Sequence, residues 1–208
     1  MAGSALEHCV EQMMFSQDPP AHTRLRGLVS RAFAEDKLIA NLILLFVAGH
    51  ETTANAIGNG MLALLTHPAQ LGRLRAEPAL AELAVEEILR FDGPATVNGR
   101  VAHERIELDG GVIEPGELVF AMLGAANRDP AVFADPDSFD IARNPNPHVS
   151  FGGGIHHCLG ASLARLEIRI ALEQILARWP HIQLEASALR RRQLVNIRGL
   201  HQLPLRVN

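Results

Sequence analysis

Apolar residues recur at helical spacing through most of the chain. Within residues 22–33, Leu25, Leu28, Val29 and Ala32 share a helical face behind the Pro19-Pro20 pair, which predicts a helix opened by proline. A longer apolar-periodic stretch starts behind Glu35 and Asp36, acids that a helix N-terminus favours, and runs to about Leu65, where His67-Pro68 ends it. Its opening, residues 38–49, is apolar around Asn41 and reads as a buried helix, being well short of the roughly 20 residues that span a bilayer. Residues 69–76 predict a short helix. Residues 78–91 predict another, with Leu80, Leu83, Ile88 and Leu89 as its apolar face and Gly93-Pro94 as its stop.

The period then changes. Residues 105–108, 112–113 and 118–122, separated by Gly110-Gly111 and Glu114-Pro115-Gly116, predict short strands joined by tight turns. Residues 127–151 are rich in Pro, Asp and Asn without a sustained period, and long ordered loops of this kind are usually functional. After Cys158, Leu159, Leu163, Leu166, Ile170 and Ile175 mark a helix that ends close to Trp179-Pro180, and the tail holds weak strand signals. The class these elements predict is mainly α with a small β-sheet (α+β), in a single domain over residues 1–208.

Composition narrows the function. Hydrophobic residues at 48% and charged residues at 20% are those of a folding globular chain. A net charge of -4 gives no electrostatic reason for a nucleic-acid partner, and a small organic ligand fits better. No basic segment followed by an apolar one and a small-residue cleavage site opens the chain, so a cytoplasmic protein without a membrane span is expected. Cys9 and Cys158 are the only cysteines and their contexts differ, which favours one functional thiol over a disulfide. Cys9, without glycines or a helix start after it, reads as packed or idle.

The richest stretch is Phe151-Gly152-Gly153-Gly154-Ile155-His156-His157-Cys158-Leu159-Gly160. Successive glycines permit positive φ and let backbone lie against a flat partner. Cys158 sits where this loop enters a helix, a setting that stabilises thiolate, and thiolate is a metal ligand. Read alone, such a cysteine is more often a small buried hydrophobe. Zinc would want about four ligands, and no second Cys/His pair stands at ligand spacing. A nucleophilic thiol would need a histidine base such as His50 or His67, and nothing in the spacing favours one.

The stretch resembles Phe-Gly-x-Gly-x-His-x-Cys-x-Gly, the haem-binding signature of the cytochrome P-450 family, with every fixed position matched. The resemblance implies a partial cytochrome P-450 fold that binds haem b (iron protoporphyrin IX), with Cys158 as axial iron ligand in a loop to which Phe151, Gly152, His156 and Gly160 contribute. Thiolate ligation of this kind favours O–O cleavage. Ala48-Gly49-His50-Glu51-Thr52-Thr53 alone is a stretch of small and hydroxyl side chains that distort a helix or let it pack. By the resemblance, Ala48 and Gly49 make room for dioxygen over the haem, while Glu51 and Thr52 carry protons toward it as catalytic residues.

Glu87 and Arg90 share a helical face, ordinarily an exposed ion pair worth little. They resemble the family's Glu-x-x-Arg motif, which implies a buried structural network completed by Arg143. His22 and Arg26, also on one face, resemble the helix that reaches the haem propionates, and the same resemblance adds Arg100 and His156 to that cationic cradle.

The activity implied is insertion of one oxygen atom from O2 into a small lipophilic substrate, with electrons from a ferredoxin-like or flavin donor docking on the Cys158 side. The match runs from about Phe15 to the C-terminus and leaves residues 1–14 unassigned. Nothing corresponds to the family's N-terminal strands and helices, and Phe33-Ala34-Glu35 joins the propionate helix almost directly to the oxygen-site helix. A truncated member with an internal deletion is therefore expected. Because lids protect reactive intermediates, the alternative is a haem-binding remnant whose oxidation is impaired by loss of the substrate lid. A third outcome is a poorly folding chain that aggregates through exposed apolar helix faces.

Overall fold

The computed structural model describes Pro20, Thr23 and residues 38–185 and 189–207. Helix α1 (Leu38–Thr66) fills the long periodic stretch, and Pro68 opens α2 (Pro68–Ala76), proline being suited to a first helical turn. A 3-10 turn (Pro78–Leu80) leads into α3 (Ala81–Asp92). Strands β1 (Asn98–Val101), β2 (Ile106–Leu108), β3 (Gly111–Ile113) and β4 (Leu118–Ala121) follow, then the short helix α4 (Leu123–Ala126). After the irregular segment comes α5 (Ala161–Arg178), and the tail forms β5 (Gln183–Leu184), β6 (Arg190–Arg191), β7 (Leu200–Gln202) and β8 (Leu205–Arg206). The mainly α class with a small β component holds, the strands pairing as antiparallel ladders β1–β4, β2–β3, β5–β8 and β6–β7. No helix among the described residues is long and apolar enough to cross a membrane.

The chain divides between Ala48 and Gly49 into two units. In the first, beyond Pro20 and Thr23, the described part is the opening of α1, where Ile39 is 73% and Phe46 is 72% exposed, and Leu42, Ile43, Leu44, Leu45 and Val47 are exposed as well. The expectation that residues 38–49 form a buried helix is corrected here. Hydropathy states how much apolar surface asks for cover and leaves the covering element unspecified.

In the second unit, one core gathers Ala56 and Leu64 from α1, Ala84, Val85 and Ile88 from α3, and Ile168 and Leu172 from α5. Spacings of three, four or eight residues keep each set on one helical face. Helices α1 and α3 approach closely at Gly60, where a methyl group would stand 2.9 Å from two carbons of Ile88. The tail is tied to both helices: Asn59 Nδ2 donates to the Asp92 carbonyl at 2.9 Å and to the Arg198 carbonyl at 3.0 Å. The Asp92 carboxylate in turn accepts Arg191 and Arg198. Strand β1 was not foreseen, because Asn98-Gly99-Arg100-Val101 carries no alternation of its own and is recruited by pairing with β4.

Candidate functional site

Helix α3 and the irregular segment are joined by a buried charge network. Glu87, fully buried, accepts Arg90 Nε at 2.7 Å, Arg90 Nη2 at 2.8 Å, the Asp140 N–H at 2.9 Å, Asn146 Nδ2 at 3.1 Å and Arg143 Nε at 3.2 Å. Arg90, also buried, spends its remaining donors on the carbonyls of Asn127, Pro136 and Ser138 at 2.8–2.9 Å. Such a pair is tolerable inside a protein only when every polar group finds a partner, and these do. The expected trio of Glu87, Arg90 and Arg143 is therefore assembled.

The segment hands its order on to the loop that follows. Asn127 Oδ1 accepts the Val149 N–H at 2.8 Å, and Asn127 Nδ2 donates to Ser150 Oγ at 2.8 Å. Ser150 Oγ donates to the Leu89 carbonyl on α3 at 2.7 Å, so the residue before Phe151 is fixed to the helix.

From Phe151 the chain makes a tight excursion. Gly152 and Gly154 take φ of +68° and +62°, values that a side chain opposes, and a single 3-10 turn (Gly154–His156) follows. The Cys158 N–H donates to the Phe151 carbonyl at 2.9 Å and closes the loop. Gly160 caps α5, placing Cys158 three residues before the start of an eighteen-residue helix. Its thiol is exposed, and on either side Ile155 is 98% and Leu159 is 93% exposed. A thiol flanked by apolar side chains in the open describes a surface shaped to be covered. Among the described residues no group of three or more His, Cys, Asp or Glu could hold a metal ion.

The remaining expected site residues distribute as follows. Arg100 lies on β1, exposed, with Nη1 donating to the Gly99 carbonyl at 2.8 Å; a methyl group at Gly152 would stand 3.8 Å from Asn98 Nδ2, so this strand neighbours the loop. His156 ends the 3-10 turn and is exposed. Phe151 is half-buried beneath the Arg165 guanidinium, 4.4 Å from the ring centre. Gly49, Glu51 and Thr52 are consecutive with His50 on α1, and Ala48 is the last residue of the other unit. Glu51 is half-buried and pairs with Arg192 at 2.5 Å, a partner that sequence reasoning missed. His22 and Arg26, like residues 1–14, lie outside the described residues.

The family profile described as Cytochrome P-450 matches residues 12–193. The chain is 49% identical over 181 residues to the biotin biosynthesis cytochrome P-450 of Bacillus subtilis (strain 168), covering 87% of this chain and 46% of the relative. It is 51% identical over 210 residues to cytochrome P-450 107B1 of Saccharopolyspora erythraea, covering 97% and 52%. Among solved structures, P-450 BioI in complex with an acyl carrier protein ligated to hexadec-9Z-enoic acid superposes with a TM-score of 0.82 at 40% identity, covering 97% of this chain and 61% of that one. The chain belongs to the cytochrome P-450 family. It spans about half the length of the curated relatives it matches, 46% and 52% of the first two.

Proposed function

We propose that the chain is the haem-thiolate part of a monooxygenase, with Cys158 as the axial ligand of haem b and a small lipophilic organic compound as substrate. The observation that carries this reading is the exposed Cys158 thiol at the end of a glycine loop tied through Ser150 and Asn127 to α3. The residues present fit the group. Methyl groups at Gly153 and Gly154 would meet nothing within 4 Å, which leaves an open face for a flat ring, and Ile155 and Leu159 offer it apolar cover. Arg100 and His156 stand exposed and offer N–H donors, as carboxylate recognition requires. His22 and Arg26 are assigned to the same propionates, and Phe151, Gly152 and Gly160 to the loop's shape.

Haem held through thiolate supplies the activation of O2. The chain's own residues position and protect. By the family resemblance, Ala48 and Gly49 would leave room for dioxygen beside a bound haem. Glu51 and Thr52 would pass protons inward, and the Glu51 carboxylate is paired with Arg192. Electrons come from a ferredoxin-like or flavin donor on the Cys158 side. The carrier-bound acyl chain of the solved relative makes a long fatty acyl group one candidate substrate.

A second reading, a haem-binding chain with impaired oxidation, draws support from the short Phe33-Ala34-Glu35 join ahead of the oxygen-site helix, where the family's lid helices have no counterpart, since water beside an oxygen site uncouples electron use from product. The test is haem stoichiometry and the reduced carbon monoxide difference spectrum, compared with Cys158→Ser. The thiolate-type band in the parent chain and its loss in the variant are expected; equal haem uptake and equal spectra would sink the proposal. Oxidised product against hydrogen peroxide per electron separates the two readings.

A further inference from the structure

Next to the buried network stands a second acid on α3 that the family motif does not include. Glu86 Oε2 accepts His148 Nε2 at 3.0 Å, while Oε1 accepts Arg165 Nε at 2.6 Å and Oε2 accepts Arg165 Nη2 at 3.0 Å. One carboxylate thus gathers a residue of the irregular segment and a residue of α5. Both reach Phe151: the Arg165 guanidinium lies 4.4 Å from its ring centre, and the His148 ring centre lies 6.1 Å away. The Ser150 N–H donates to His148 Nδ1 at 3.3 Å, so Nδ1 is the acceptor and Nε2 carries the proton offered to Glu86. Glu86 therefore selects the tautomer that holds the backbone just before the loop. The carbonyl of Phe151 is the acceptor of the Cys158 N–H.

Burial alone would raise the Glu86 carboxyl, but hydrogen bonds from His148 and Arg165, with the charge of Arg165, override it and hold it at about 2. The acid is thus a permanent anion at neutral pH and the clamp is always engaged.

We propose that Glu86 is a positioning residue for the iron-ligand loop: through His148 and Arg165 it fixes the ring and backbone of Phe151, and thereby the orientation in which Cys158 is presented. The inference deepens the reading of Cys158 as haem ligand and rests on it for its functional consequence. A built-in control exists, because Arg169 and Glu82 pair at 2.7 Å between the same two helices without touching the loop.

The experiment measures amide hydrogen exchange at Cys158 in the 208-residue chain without haem, and the carbon monoxide difference spectrum after haem loading. Glu86→Gln and Arg165→Ala are expected to speed Cys158 exchange by about tenfold or more, with Arg169→Ala within about twofold of the parent. With haem, Glu86→Gln is expected to shift part of the absorbance away from the thiolate-type band at unchanged haem stoichiometry. Unchanged exchange at Cys158 in Glu86→Gln, or an equal rise in Arg169→Ala, overturns the proposal. Should Glu86→Gln fail to fold by circular dichroism, Arg165→Ala against Arg169→Ala decides it. A parent chain without a thiolate-type band defeats the haem reading alone, since the exchange result stands without the cofactor.

Discussion

Arg90 illustrates how much one side chain can hold together. It neutralises Glu87 in a fully buried site and caps three carbonyls of the irregular segment, at Asn127, Pro136 and Ser138. Arg90→Met keeps roughly the volume but takes two charged donors from the buried Glu87 carboxylate and leaves those three carbonyls without theirs, so a loss of about 3–5 kcal/mol is expected. Urea unfolding should show a lower midpoint at unchanged slope. Glu86 gives a prediction of a different kind. Its folded-state pKa of about 2 lies below the ordinary 4.5, so its stabilising contribution is complete above about pH 4.5 and is lost as pH falls toward 2. Glu86→Gln has no such contribution to lose, and its urea midpoint should fall less steeply than the parent's between pH 4.5 and 2. Cys158 was legible in the sequence because its chemistry is written in the ten residues from Phe151 to Gly160. Glu86 was not, since His148 and Arg165 lie 62 and 79 positions away, and no local period records a contact at that range.

Helices announced themselves better than strands, for reasons visible in particular elements. Helix α5 carries its apolar residues at spacings that reveal its existence but not its buried side, which is Ala161, Ile168 and Leu172 while Leu163 and Ile170 of the expected stripe are exposed, and α1 ends where His67-Pro68 forbids continuation. Strand β1 has a glycine and no alternation, so only its ladder with β4 explains it. Tail strands β5 to β8 are two or three residues long, too short for any period to show. What fastens the tail is a close fit instead. Gly199, just before β7, packs so tightly on α1 that a methyl group there would fall 2.0 Å from Asn55 Oδ1. Gly199→Ala must therefore displace either the strand or the Asn55 side chain, and a cost of about 1–3 kcal/mol is expected. Because Asn59 and Glu51 of α1 also bind tail residues, at Arg198 and Arg192, hydrogen exchange should rise across β6 and β7 in this variant and spare α5.

At the scale of the molecule, the described surface is unevenly apolar. The opening turns of α1 expose Ile39, Leu42, Ile43, Leu44, Leu45, Phe46 and Val47 in one continuous run. Soluble monomers rarely leave contiguous apolar patches beyond a few hundred square ångströms, and larger ones drive association. The sequence made this run legible as a helix, while its exposure is a property of the whole chain and no window of residues could report it. The same run also bears on activity, since Gly49 and the proposed proton carriers Glu51 and Thr52 continue the helix directly. Placing charges on the exposed run should therefore separate solubility from folding. Ile39→Glu and Leu44→Glu, at positions 73% and 63% exposed, remove no core contact of the second unit. The double variant is expected to reduce concentration-dependent association in sedimentation velocity while leaving the urea midpoint of the second unit unchanged. A lowered midpoint instead would mean that this part of α1 is covered in solution, and that its apolar residues contribute to folding.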